Sequence, residues 1–225
     1  AEAAATDATE IACADGVISP GLFNAHDHIT YNSPGEPKPH GDERFDHRHD
    51  WRTGARGHTE VNHNGNDRGR ESVLYAELRH LMAGTTSLAG SGSAGGFLRN
   101  LDRPDDNGGG LSGVNLDSST FPMGDTSGEL LSSGCDYRRI DNDNVLDNTI
   151  YLPHIAEGID PEARNEFVCL SGESGTDLIA ANTSVIHGVG LTGSDIAAMA
   201  AEGAKLVWSP RTNIDLYGQT ADVLT

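Results

Sequence analysis

His26 and His28 stand two residues apart in the stretch Gly16 to Thr30, GVISPGLFNAHDHIT. On an extended strand side chains alternate faces, so both imidazoles point one way and Asp27 the other. Two neutral imidazoles on one face, at the end of a buried strand, can grip a divalent cation. His154 and His187 follow much later, with Glu157 three residues after His154. A cation lowers the pKa of bound water from about 16 toward 7, which yields a hydroxide nucleophile at neutral pH. A carboxylate three residues from a ligand can reach that water as a general base. Asn213 closes Ser209-Pro210-Arg211-Thr212-Asn213, a loop candidate for substrate contact or loop shaping.

The elements that must position these residues are legible in part. Pro20 and Gly21 introduce a short strand over 21–29 that carries His26 and His28. Residues 31–69 form a long polar connection holding His40, His47, His49, His58 and His63, so seven of the ten histidines precede residue 64. This connection reads either as a solvated loop or as a lid whose His49 or Trp51 touches substrate. Val73, Leu74, Leu78, Leu81 and Met82 share one helical face over 70–82, and Gly84 sits where a left-handed C-cap residue belongs. Residues 85–89 read as the next strand, which starts a parallel α/β pattern. Residues 90–148 are polar and poorly patterned, with a strand expected over 111–116. A strand over 149–156 should lose its hydrogen bonding near Leu152, because Pro153 cannot donate. Asp160-Pro161 opens a helix that runs to about Leu170. A strand over 184–189 carries His187. Thr192 and Asp195 form a capping-box start to a further helix, and residues 205–208 form one more strand, followed by a loop over 209–213.

Composition narrows the partners. Fifteen basic against 34 acidic residues give a formal charge of -19. That argues against nucleic acid or anionic lipid, and fits high solubility and a salty, secreted or periplasmic setting, although no location is fixed. The longest apolar runs fall short of a membrane span. Cys13, Cys135 and Cys169 lack the CxxC spacing of a thiolate zinc site, and leave open one disulfide or three buried thiols.

Polar chemistry thus recurs at the C-terminal end of strand after strand: His26 and His28, then His154 with Glu157, then His187, then Ser209 and Asn213. A parallel α/β barrel gathers such residues on one rim. As a set, Pro20-Gly21-Leu22-Phe23-Asn24-Ala25-His26-Asp27-His28, Gly84-Thr85-Thr86, His154-Ile155-Ala156-Glu157, His187-Gly188 and Ser209-Pro210-Arg211-Thr212-Asn213 resemble the amidohydrolase superfamily, in the branch that includes cytosine and guanine deaminases and triazine hydrolases. The resemblance covers about residues 16–220, with 31–69 and 90–148 matching poorly.

The resemblance implies a TIM-type (β/α)8 barrel and one divalent metal, zinc first and iron second. His26, His28 and His154 would be ligands, Glu157 would shuttle protons, and His187 would orient the water or the substrate carbonyl. The activity implied is metal-dependent hydrolysis of C–N bonds in a small molecule, as an amidase or a deaminase. The family's last ligand is an Asp at the end of the eighth strand, and Asp215 and Asp222 lie too near the 209–213 loop to take that place. The barrel is therefore expected to be incomplete, with the last strand and a flanking β-sandwich domain missing. Residues 1–15 would be a tail or a remnant of that sandwich domain, and 16–225 a partial barrel carrying the polar insertions 31–69 and 90–148. The site would then be completed by the remainder of the same enzyme or by a homo-oligomer. Two alternatives remain open: a degenerate, non-catalytic metal-binding or interaction relative, and an acidic extracellular protein that binds metal through His47, His49 and their neighbours.

Overall fold

A computed structural model of the chain describes residues 14–31, 40–61, 67–90, 97–102, 114–147 and 149–224. Apart from Ala14 and Asp15, the tail expected over 1–15 lies outside them, as do His63 and the start of the strand expected over 111–116. The elements in chain order are β1 (Leu22–Asn24), α1 (Arg48–Thr53), α2 (Arg70–Met82), β2 (Thr85–Leu88), β3 (Arg99–Asn100), β4 (Leu116–Ser119), β5 (Ile150–Ile155), α3 (Pro161–Leu170), β6 (Ser184–His187), α4 (Gly193–Ala201), β7 (Lys205–Val207) and α5 (Pro210–Tyr217). The strands form two parallel sheets, ordered β1-β2-β3 and β4-β5-β6-β7. The chain is therefore an α/β protein, and within each sheet spatial order follows sequence order.

Helix positions follow local chemistry. Val73 and Ala76 of α2 pack with Ile29, Leu88 and Leu98 under the first sheet, and Gly84 takes a φ of 86° just past the helix end. Asp160 caps α3 by accepting from the Ala163 amide at 2.8 Å, with Pro161 in the first turn. Thr192 and Asp195 close the expected capping box on α4. Tyr151, Ile155, Phe167, Leu170, Val185 and Met199 form the main core between the second sheet and α3 and α4. Each such side chain contributes about 1.5–3 kcal/mol by leaving water. Cys135 and Cys169 are joined in a disulfide across 34 residues, which resolves the two cysteine readings in favour of one bridge.

A smaller cluster decides how the sheets sit. Ala89 and Leu101, just beyond β2 and β3, pack with Leu152 of β5 and Ile186 of β6, and Leu116 and Val207 add to them. Residues from both sheets thus share one apolar interior. Alternation then fixes faces on β5: Tyr151 and Ile155 meet the helices, while Leu152 and His154 look inward.

Three expectations are corrected. The strand carrying the first histidines is only Leu22–Asn24, and His26 and His28 lie past its end. β5 runs through Pro153 to Ile155 instead of stopping near Leu152. Pro153 falls where β5 leaves β4, at the Ser119 pairing, and takes up β6 from His154 onward, so its missing N–H sits at the changeover between ladders. Residues 209–213 are not a loop: Pro210 starts α5, which ends at Gly218 with a φ of 73°. Proline in the first turn and glycine after the last are both helix-boundary signals, so the sequence carried this helix.

Candidate metal centre

The centre lies beyond the C-terminal ends of β1, β5 and β6. The extended stretch holding His26 and His28 is strapped to the chain after β2. Asp27 N–H donates to Ala89 O at 3.1 Å, and Ile29 N–H to Gly90 O at 3.3 Å. The approach is so close that a Cβ on Gly90 would fall 1.8 Å from Asp27 O, and Gly90 has a φ of 88°. Only glycine fits there. Asn24 Oδ1 accepts the His26 amide at 3.1 Å, and the Asp27 carboxylate, on the opposite side, meets His80 of α2 at 3.1 Å.

Three Nε2 atoms converge. His26 and His28 are 3.4 Å apart, His28 and His154 3.2 Å, and His26 and His154 3.2 Å. His154 is buried, His26 half-buried, and His28 the most open of the three. Nitrogens bound at about 2.0–2.1 Å to one tetrahedral ion stand about 3.3–3.4 Å apart, so the spacing fits a single ion. The donor chemistry fits as well. His154 Nδ1 lies 3.1 Å from Ser119 O, a carbonyl that can only accept, so Nδ1 carries the proton and Nε2 presents a lone pair. His26 Nδ1 pairs with Ser209 Oγ at 2.9 Å. Burial, with His187 and His28 nearby, pushes the His26 imidazole down to about 2. Burial and the neighbouring His187, His26 and His28 hold His154 well below its ordinary value. Rings kept uncharged at His26 and His154, with the third Nε2 at the same spacing, leave a place between them where a cation fits. A divalent metal can therefore be held by His26, His28 and His154, and its identity is open.

Glu157 and His187 flank this triangle. Glu157 Oε1 accepts from the Tyr217 hydroxyl at 2.9 Å, and Oε2 lies 3.5 Å from His187 Nε2. Burial opposes its charge, but His187, Arg48 and the Tyr217 hydroxyl outweigh burial and hold the carboxyl below its ordinary value. His187 Nδ1 donates to Asn213 Oδ1 at 2.9 Å, and the His187 and His26 ring centres are 4.8 Å apart.

Strand alternation alone would place neither residue here. On β6, Val185 faces the helices and Ile186 the interior, so His187 should face outward. His187 instead adopts a φ of 74°, and Ala156, just before Glu157, a φ of 54°. Both are left-handed positions that cost a non-glycine residue about 1 kcal/mol or more, and backbone strain of this kind gathers at functional sites.

A cavity of about 640 Å³ opens onto the centre, lined in part by His26, His28, His154, Glu157 and His187. Of the other sequence candidates, Trp51 lies on its wall and donates to the Tyr217 hydroxyl at 2.9 Å. His49 is fully buried, with Nε2 2.7 Å from Asp125 Oδ2, and is not part of that wall. Asn213 is fully buried too and acts on His187. His47 caps α1 with its side chain, and its Nε2 is 3.5 Å from Glu166. Among the described residues, the histidines grouped for a metal are His26, His28 and His154, with no member from the segment around His47 and His49.

The residues that sequence reasoning missed are Tyr217 and, on the cavity wall, Arg48, Arg52 and Phe121. Tyr217 lies 60 positions from the carboxylate it holds, and nothing in its spacing marks it. Arg48 and Arg52 sit in HRHDWR beside candidates that were singled out; their i, i+4 spacing on a short capped helix was the available signal.

Compared with known proteins, the chain matches no family model, no curated protein and no solved structure. Function has to be argued from the geometry of the centre itself.

Proposed function

We propose that this chain is a metal-dependent hydrolase of C–N bonds, an amidohydrolase or deaminase acting on a small molecule. One observation carries the reading: three imidazole Nε2 atoms at ion-binding spacing, with a buried carboxylate and a fourth histidine beside them. The two parallel sheets are read as consecutive arcs of a (β/α)8 barrel, an arrangement supported by their shared interior and by the gathering of site residues beyond strand C-termini.

The metal, when bound, supplies Lewis acidity and brings the pKa of water toward neutrality. Glu157 is built to take and return a proton at Oε2, because Tyr217 occupies Oε1 and fixes the carboxylate plane. With Nδ1–H committed to Asn213, His187 exchanges protons only at Nε2, the atom that faces Glu157 Oε2. A proton taken from water can pass between these two atoms and leave on the departing nitrogen. Tyr217 and Asn213 act as positioning residues through their bonds to Glu157 and His187.

Metal content and turnover test the reading together. The purified chain should carry about one divalent ion, and His154→Ala should lose it. Hydrolysis across a panel of amides and aminated heterocycles should vanish on chelation and return with zinc or iron. Stoichiometric metal without turnover on the panel would leave a metal-binding protein and no hydrolase. Turnover that survives chelation would overturn the role given to the histidines.

A further inference from the structure

The cavity wall holds a charge that the metal chemistry does not use. Arg52 is half-buried, with its guanidinium carbon 4.3 Å over the Phe121 ring and one N–H directed to His49 Nδ1 at 2.8 Å. His49 is itself fixed, since its Nε2–H goes to Asp125 Oδ2 at 2.7 Å. Arg48, by contrast, is neutralised, with Asp125 at 2.6 Å and Glu166 at 2.9 Å. Among the described residues no carboxylate lies within ion-pair distance of Arg52. Burial, and then the Arg48 charge, work against its charged form, and the Asp125 and Glu157 carboxylates offset part of this from beyond ion-pair distance. A half-buried guanidinium with no carboxylate in direct contact can take an anion from the cavity as its partner.

The guanidinium has five N–H groups in a fork that matches a carboxylate, and His49 takes one of them. The setting sharpens the point. In a chain with 34 acidic and 15 basic residues, the cavity wall carries Arg48, Arg52 and Arg68 against two carboxylates, Asp102 and Glu157. Trp51 and Tyr31 on the same wall offer flat surfaces for a planar body, while Phe121 stacks against Arg52. The volume of about 640 Å³ suits a small metabolite.

We propose that Arg52 recognises a carboxylate on the substrate, which makes the substrate class a small, planar amide or cyclic amidine bearing a carboxylate. The carboxylate seats on Arg52, and the C–N bond to be cleaved lies toward His26, His28 and His154. The nature of that bond rests on the hydrolase reading; the anion site does not.

The two are separated by measuring binding to chelator-treated protein, with benzoate and benzamide as probes in isothermal titration. Benzoate should bind at least about ten-fold tighter than benzamide. Arg52→Met should bring the two within about two-fold of each other. Arg52→Lys keeps the charge but loses the fork, and should cut the preference at least about three-fold while retaining the fold by circular dichroism. Equal affinity of the two probes, no binding of either, or a preference unchanged in both variants would overturn the carboxylate site. Absence of turnover by the metal-loaded protein would count against the hydrolase and leave a measured benzoate preference standing.

Discussion

Tyr217→Phe removes one oxygen and tests the coupling between Glu157 and the folded state. The hydroxyl donates to Glu157 Oε1 at 2.9 Å and accepts from Trp51 Nε1 at 2.9 Å. A hydrogen bond to a charged group contributes about 1.5–3 kcal/mol, and the Trp51 N–H, on a cavity wall that water can reach, adds at most about 0.5 kcal/mol. Tyr217 is buried against Oε1, the carboxylate oxygen turned away from His187, so solvent does not replace the lost donor. The variant should unfold about 2–3 kcal/mol more easily at pH 8, a drop of roughly 4–12 °C in Tm for a chain of this size.

pH makes the test specific. In the folded chain the Glu157 carboxyl lies below its ordinary value. It therefore adds stability above its unfolded pKa of about 4.3 and loses that stability as pH falls through the lower folded value. Removing a donor worth about 2 kcal/mol raises the folded value by about 1.5 units, at about 1.4 kcal/mol per unit. The deficit of the variant should shrink as pH falls, because the variant's carboxyl takes up its proton before the parent's does. Urea unfolding of both proteins at pH 8 and pH 4 reads this directly. A deficit that is the same at both pH values, or below about 0.5 kcal/mol at pH 8, would refute the claim that Tyr217 stabilises the charged carboxylate.

Further outcomes follow from neighbouring residues. Ser209→Ala takes the partner from His26 Nδ1 and should weaken metal binding by about 10–100-fold in chelator competition, with little change in stability of the metal-free chain. Arg48→Met leaves the Asp125 and Glu166 carboxylates buried without their cation; the cost should be about 3–5 kcal/mol in urea unfolding at neutral pH. Replacing Cys135 and Cys169 together by serine opens a loop of 34 residues and should cost about 4 kcal/mol by the chain-entropy relation, read as a lower urea midpoint.

What the sequence revealed of this molecule divides by range. Capping chemistry is local, so Thr192 with Asp195 and Asp160 with Pro161 mark their helices within one turn. The three histidines of the centre could be picked out of ten because each falls near a strand end. Their convergence depends on two sheets sharing an interior through Ala89, Leu101, Leu152 and Ile186, which no local pattern encodes. His187 stands out by its place at a strand end, although alternation alone argues against it. Strict alternation turns it away from the site, and a single left-handed residue brings it back. The polar stretch 31–69 reads as a loop or lid, with no helix marked in it, because α1 is only six residues long and is held by charge, not by an apolar stripe. His47 and Asp50 cap it, and Arg48 anchors it on Asp125 and Glu166.

The histidines of the centre belong to different sheets: His26 and His28 to the end of β1, and His154 to β5, 126 residues beyond His28. An ion seated among them would clasp the two halves of the chain together. Its escape would then require more than breaking three bonds to nitrogen, because the halves must part far enough for the rings to separate. Metal exchange should consequently keep pace with the breathing of the molecule, and amide protons along β1 and β5 should trade with solvent faster once the ion is stripped away.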